Sequence, residues 1–217
     1  SKNKLLIDKI AVEKIVKQFG TPAYCYSYNQ LKKNILEFQK NFKKISPLVC
    51  FAVKANNNTT ILREISKLGL GADVVSKGEL MAALKSKINP KKIVFSGVGK
   101  TYEEIEFAAK KKVLLINAES KSEIEIILKI ARKMNRNIDI GLRLNPNVDA
   151  KTIKEITTGK TSNKFGLTEK EVIDLINHYK KSKYLNIKCL SVHIGSQITS
   201  HIPYFKMLKA IQKIIDK

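Results

Sequence analysis

Several apolar runs of this chain end in side chains that can do chemistry. The first, CFAVKAN (Cys50–Asn56), stops at a lysine, Lys54. Burying an ammonium is costly unless it is paired or loses its charge, so a lysine ending a run built for burial calls for a partner or a use. Later runs end in Asp73 and Ser76, in Ser96 and Gly97, and in Asn117 and Glu119. Two more end in Arg143 and Asn145, and in His193 with Gly195 and Ser196. One polar run end is an accident; six that converge describe a lined pocket.

The residue types suggest a reaction class. An amine walled by apolar groups gives up its proton readily and can form a Schiff base with an aldehyde. Pyridoxal phosphate is the common aldehyde cofactor held this way, and its ring is an electron sink for carbanions. Its phosphate needs backbone N–H groups and hydroxyls, which Gly195 and Ser196 offer. Its flat ring needs a planar neighbour, and His193 is suitable. Arg143 can serve an anionic oxygen, and Asp73 can orient a cationic partner. Each residue alone has a plainer reading. Lys54 can run its stem along the surface to water. His193 can be a hydrogen-bonded structural histidine, Asp73 can cap a turn, and Arg143 can pair with Asp73.

The elements that would hold these residues alternate. Helical spacing marks Val12–Gln18 and Leu31–Lys43, before the strand Leu48–Lys54. Helix Thr60–Lys67 leads to strand Gly71–Ser76, and helix Gly78–Lys85 to strand Lys92–Gly97. Helix Tyr102–Lys110 precedes strand Val113–Ala118, and helix Ser122–Met134 precedes strand Ile138–Asn145. Helix Glu169–Lys180, strand Ile187–Gly195 and a helix from Tyr204 to Ile215 complete the chain. Alternation of this kind means parallel βα units with right-handed crossovers, and continuously apolar strands mean that both sheet faces are covered. No Gly-x-Gly-x-x-Gly follows the first strand, which removes the main cue for a dinucleotide site. A (β/α)8 barrel needs eight units and about 250 residues. Six units in 217 residues predict an α/β fold that is a partial (β/α)8 TIM barrel, with the candidate residues at its C-terminal rim.

Composition excludes other classes. The formal charge is +22, yet the only arginines are Arg63, Arg132, Arg136 and Arg143, and the lysines are scattered over helix faces. Nucleic-acid readers cluster their charge, use arginine forks and interleave exposed aromatics, so no nucleic-acid partner is expected. No apolar run is long enough to span a bilayer, so no membrane partner is expected. Cys25, Cys50 and Cys189 are far apart, lack CxxC spacing and fit a reducing cytoplasm with no disulfide framework or metal site.

Four stretches in order, FAVKAN, GADVVSKGEL, LRLNPNVDAKT…ITTGKTSNKFGL and SVHIGSQI, carry a resemblance. Together with TPAYCYS (Thr21–Ser27) they resemble the diaminopimelate decarboxylase family, alanine-racemase-like pyridoxal-phosphate enzymes of fold type III. The resemblance implies that Lys54 is the Schiff-base lysine, that His193 stacks on the cofactor ring and that Ser196, with Gly195, helps hold the phosphate. Asp73 and Arg143 become cofactor-proximal polar residues. The implied reaction removes carboxylate from meso-diaminopimelate to give L-lysine and carbon dioxide, the last step of lysine biosynthesis. Gln197 in HIGSQ favours that branch over ornithine or arginine decarboxylases of the same fold; a non-catalytic pyridoxal-phosphate homeostasis protein is the other alternative.

The resemblance further implies residues 1–28 as an N-terminal helix with a strand leading into the barrel, and 29–217 as an incomplete cofactor-binding barrel. Family members are twice as long, carry a C-terminal β-domain and form homodimers, so the 217 residues alone are expected to be inactive. Asn145–Gly166 is long for a βα loop, and this chain has Ile153 where the family commonly has histidine and Glu155 where an aromatic often stands nearby.

Overall fold

The structure, a computed structural model, describes residues 4–148 and 165–217. Ile153, Glu155 and most of the long loop therefore lie outside the described residues. Two compact units are present, Ser1–Val49 and Cys50–Lys217.

The first unit opens with a hairpin of β1 (Leu6–Ile7) and β2 (Ile10–Ala11), turned by Asp8 and Lys9 at φ 48° and 68°. Two successive positive φ values match the twist that a tight hairpin needs. Helix α1 (Val12–Phe19) stops at Gly20, φ 77°, and α2 (Tyr28–Asn41) follows. The strand expected near Thr21–Ser27 is not found, and the only strands among the described residues before residue 28 are the two of the hairpin. Ser27 is used instead as a helix cap: its Oγ accepts from Gln30 N at 3.0 Å and donates to Asp8 at 2.6 Å.

The second unit is a six-stranded parallel sheet in chain order: β3 (Cys50–Ala52), β4 (Gly71–Val74), β5 (Ile93–Phe95), β6 (Leu115–Ala118), β7 (Ile138–Leu144) and β8 (Leu185–Val192). Helices α3 (Thr59–Lys67), α4 (Lys77–Lys85), α5 (Tyr102–Lys111), α6 (Lys121–Lys133), α7 (Glu169–Tyr179) and α8 (Ile202–Ile215) alternate with the strands. This is the expected α/β order. β3 and β8 are the sheet's two edges, so the strands form an open part of a barrel.

Period-two alternation sorts the strand residues onto two faces. In register across the sheet, Val74, Phe95, Ile116, Ile140 and Leu142 form one fully buried face. Burying each large side chain here contributes about 1.5–3 kcal/mol. The opposite face carries Asp73, Asn117 and Arg143.

Four helices start with the same local device. Ser76, Thr101, Ser120 and Thr168 each accept from the backbone N–H of the glutamate three residues on, at 3.2–3.3 Å. In α5 and α7 that glutamate reaches back to the cap residue's own N–H, completing a capping box. In α4 and α6 it reaches one residue further, to Val75 N at 3.0 Å and Glu119 N at 2.7 Å. The capping glutamates thus also fix the chain leaving β4 and β6, where the polar rim begins.

Candidate active site

Lys54 does not end a strand. The apolar run Leu48–Lys54 yields a three-residue strand, after which Val53–Ala55 wind into a single 3-10 turn that carries the lysine. Lys54 is exposed, which corrects the expectation of a buried ammonium. Val53 takes the buried position, and β3 is an edge strand of the sheet.

Asp73 lies on β4 and accepts a 2.6 Å hydrogen bond from Ser96 Oγ. Ser96 Oγ in turn accepts from Asn117 Nδ2 at 3.0 Å, so a polar chain crosses β4, β5 and β6. Asn117 is buried, and its Oδ1 has no hydrogen-bond partner among the described residues. That oxygen occupies the place where a side chain on Gly141 of β7 would stand, which explains the glycine at this position.

Arg143 on β7 is not Asp73's partner. Its Nη1 donates to both carboxylate oxygens of Glu119 at 2.8 Å, and Phe165 places its ring centroid 5.6 Å from the guanidinium. The end of β7 is fixed by Leu167, which donates to Arg143 O at 2.7 Å and accepts from Asn145 N at 2.8 Å. The side chain thus leaves a backbone held on both sides.

His193 directly follows β8, at the parity that puts it on the face of Arg143 and Asp73. Its imidazole is held below its ordinary pKa. Withdrawal from water is the largest cause; the charges of Arg143 and Lys54 add to it, and Asp73 and Glu119 oppose it. The residue as a whole is exposed, so the shift is small; its direction is set by the rim around the ring, which disfavours the charged imidazole. Lys54, Asp73, Glu119 and Arg143 thus lie near enough to His193, at one end of the sheet, for their charges to bear on it. Gly195, with φ 144°, and exposed Ser196 lie in the loop beyond.

Two residues without a place in the sequence reading stand behind this rim. Lys100, whose side chain is fully enclosed, lies 2.8 Å from Glu123 Oε1, and Glu123 Oε2 holds the backbone of Glu119. The pattern Ser120-x-x-Glu123 reads as an ordinary capping box, which hides the second role of its carboxylate. A groove of about 650 Å³ between α7, β8 and α8 does not include these rim residues.

A lysine amine, a guanidinium, a neutral-leaning imidazole and two carboxylates are a donor set for a small anionic carbonyl compound, not for a metal. No cluster of metal ligands occurs among the described residues, and no described helix is long and apolar enough to cross a membrane.

The comparisons with known proteins bear on the family and the fold. The family described as "Pyridoxal-dependent decarboxylase, pyridoxal binding domain" matches residues 28–217. Diaminopimelate decarboxylase of Helicobacter pylori (strain J99) is 42% identical over 202 residues, which are 93% of this chain and 50% of the relative. That of Neisseria meningitidis serogroup A is 39% identical over 212 residues, 98% of this chain and 52% of the relative. The crystal structure of the Helicobacter pylori enzyme complexed with L-lysine superposes with a TM-score of 0.92 at 40% identity, covering 94% of this chain and 52% of that one. The chain thus spans about half the length of the curated relatives it matches. With a family match over nearly all of its length and this rim of residues, the chain belongs to the pyridoxal-dependent decarboxylases, in their pyridoxal-binding domain.

Proposed function

We propose that this chain forms the cofactor-binding part of a pyridoxal-phosphate-dependent decarboxylase that converts meso-2,6-diaminopimelate to L-lysine and carbon dioxide. The observation that carries the reading is the rim at the sheet's C-terminal end: Asp73 held by Ser96, Arg143 clamped by Glu119, and His193 following β8 on the same face. The residues present fit pyridoxal phosphate: a reachable amine on a short turn, a positive guanidinium, and a flat ring that favours its neutral form.

Bound there, pyridoxal phosphate would supply an aldehyde carbon for Lys54 and an electron sink for the charge left when the substrate's carboxylate departs. Lys54 would hold the cofactor through Nζ and, when free, would stand at the rim as a base. His193, neutral, would lie against the ring without adding a third positive charge beside Lys54 and Arg143. Arg143 would attract an anionic oxygen, its direction set by Glu119. Asp73, held by Ser96, would offer a fixed negative charge to a cationic partner. Gly195 and Ser196 would offer a backbone N–H and a hydroxyl to the phosphate.

The substrate is supported by two relatives named diaminopimelate decarboxylase and by a solved relative that holds L-lysine. In the same reading residues 29–217 are the barrel domain, the protein acts in the cytoplasm and two full-length chains pair. The test is an assay of the full-length polypeptide carrying this chain. It should release carbon dioxide and L-lysine from meso-diaminopimelate, and Lys54→Ala should abolish both. Preferential turnover of L-ornithine or L-arginine would contradict the substrate assignment.

A further inference from the structure

Arg143 is held by more than one contact. Glu119 receives Nη1 on both carboxylate oxygens, at 2.8 Å each, and the Glu119 side chain is 7% exposed. Behind it, Glu119 N donates to Glu123 Oε2 at 2.7 Å. Glu123 Oε1 faces the ammonium of Lys100 at 2.8 Å, and that ammonium also donates to Gly97 O. Four charged groups from four pieces of the fold thus form one chain: Lys100 after β5, Glu123 in the first turn of α6, Glu119 after β6, and Arg143 on β7. Their formal charges cancel.

We propose that Glu119, braced by the buried Lys100–Glu123 pair, is a positioning residue that aims Arg143 and balances the charge at the strand ends. The proposal rests on the cofactor-binding reading above. Stability alone explains the arrangement poorly, because a buried ion pair is commonly matched or bettered by apolar residues of the same volume. What a two-oxygen clamp adds is direction: it fixes which way a long, flexible arginine points. It also adds a counter-charge. The groups acting on His193 are Lys54 after β3, Asp73 on β4, Glu119 after β6 and Arg143 on β7. Neutralising Glu119 leaves Lys54 and Arg143 opposed by Asp73 alone.

The test uses the full-length polypeptide carrying this chain, with Glu119→Gln, which keeps the shape, and Glu119→Asp, which keeps the charge. Two quantities are read without turnover: the titration of the His193 imidazole by nuclear magnetic resonance, and the dissociation constant for pyridoxal phosphate. Glu119→Gln should move the imidazole titration to lower pH and weaken pyridoxal phosphate binding about tenfold, as loss of one aimed, charge-assisted contact would. Glu119→Asp should restore most of the titration and part of the affinity. An unchanged titration with binding within about twofold of wild type, whatever happens to the melting temperature, would reduce Glu119 to a structural residue and overturn the inference. Borohydride trapping of pyridoxal phosphate on wild-type Lys54 separates the two readings. Trapping with an unresponsive Glu119→Gln sinks only this inference; no trapping sinks both.

Discussion

The two faces of the parallel sheet are built on opposite rules. On the face of Val74, Phe95, Ile116 and Ile140, each side chain is 0–1% exposed and none has a polar atom. On the other face, Ser96 links Asp73 to Asn117, and Arg143 pairs with Glu119, by hydrogen bonds running sideways across the sheet. The first face is held by non-directional burial, where the total volume matters more than the pairing. The second is directional: each group has a particular partner, and moving one leaves another unsatisfied. The difference teaches that stability and chemistry are carried by alternate residues of the same strands, so that either can be perturbed with little effect on the other.

Three substitutions or conditions test that separation. Phe95→Ala should have the largest effect, because it empties a fully buried site on the apolar face; a loss of about 3–5 kcal/mol is expected by denaturant unfolding. Pyridoxal phosphate affinity should change little if the variant is assayed while folded. Ser96→Ala should cost less, about 1–3 kcal/mol, because it strips Asp73 of its donor and Asn117 of its acceptor. Its main effect should fall on cofactor binding, in the reverse of the Phe95→Ala pattern. Equal loss of stability and affinity in both variants would break the comparison.

The smallest effect concerns pH. His193 titrates lower in the fold than in the unfolded chain, so between those two values the unfolded state binds more protons. The stability this supplies is complete above the ordinary imidazole range and is lost as pH falls through the folded value. Melting temperature should therefore decline on acidification from neutrality, and His193→Gln should flatten that part of the decline. A variant with the wild-type slope would remove His193 from the account.

Much of this was legible in the sequence, and the reason it was is the apolar face. Runs such as Lys92–Gly97 and Ile138–Asn145 announce buried strands because the helix-covered face demands continuous apolar residues, and the observed strands fall within them at Ile93–Phe95 and Ile138–Leu144. The rim residues were visible as the polar ends of those runs. Their partners were not. Arg143 pairs with Glu119, just past the end of adjacent β6, and not with Asp73, because β7 is hydrogen-bonded to β6 while β4 lies two strands further away. Lys54 looked buried because its run is apolar, but the backbone turns from strand to 3-10 helix at Val53 and carries the side chain outward. Lys100 gave no signal: it follows Val98 and Gly99 in a loop, and only the folded chain brings it to Glu123.

The most direct test of the central claim is to reduce the full-length polypeptide with borohydride in the presence of pyridoxal phosphate and to map the modified peptide by mass spectrometry. The account predicts one stable pyridoxyl adduct, on Lys54, lost in Lys54→Ala. An adduct elsewhere, on Lys77 or Lys100 for example, or none at all, would contradict the assignment of this rim as the cofactor site.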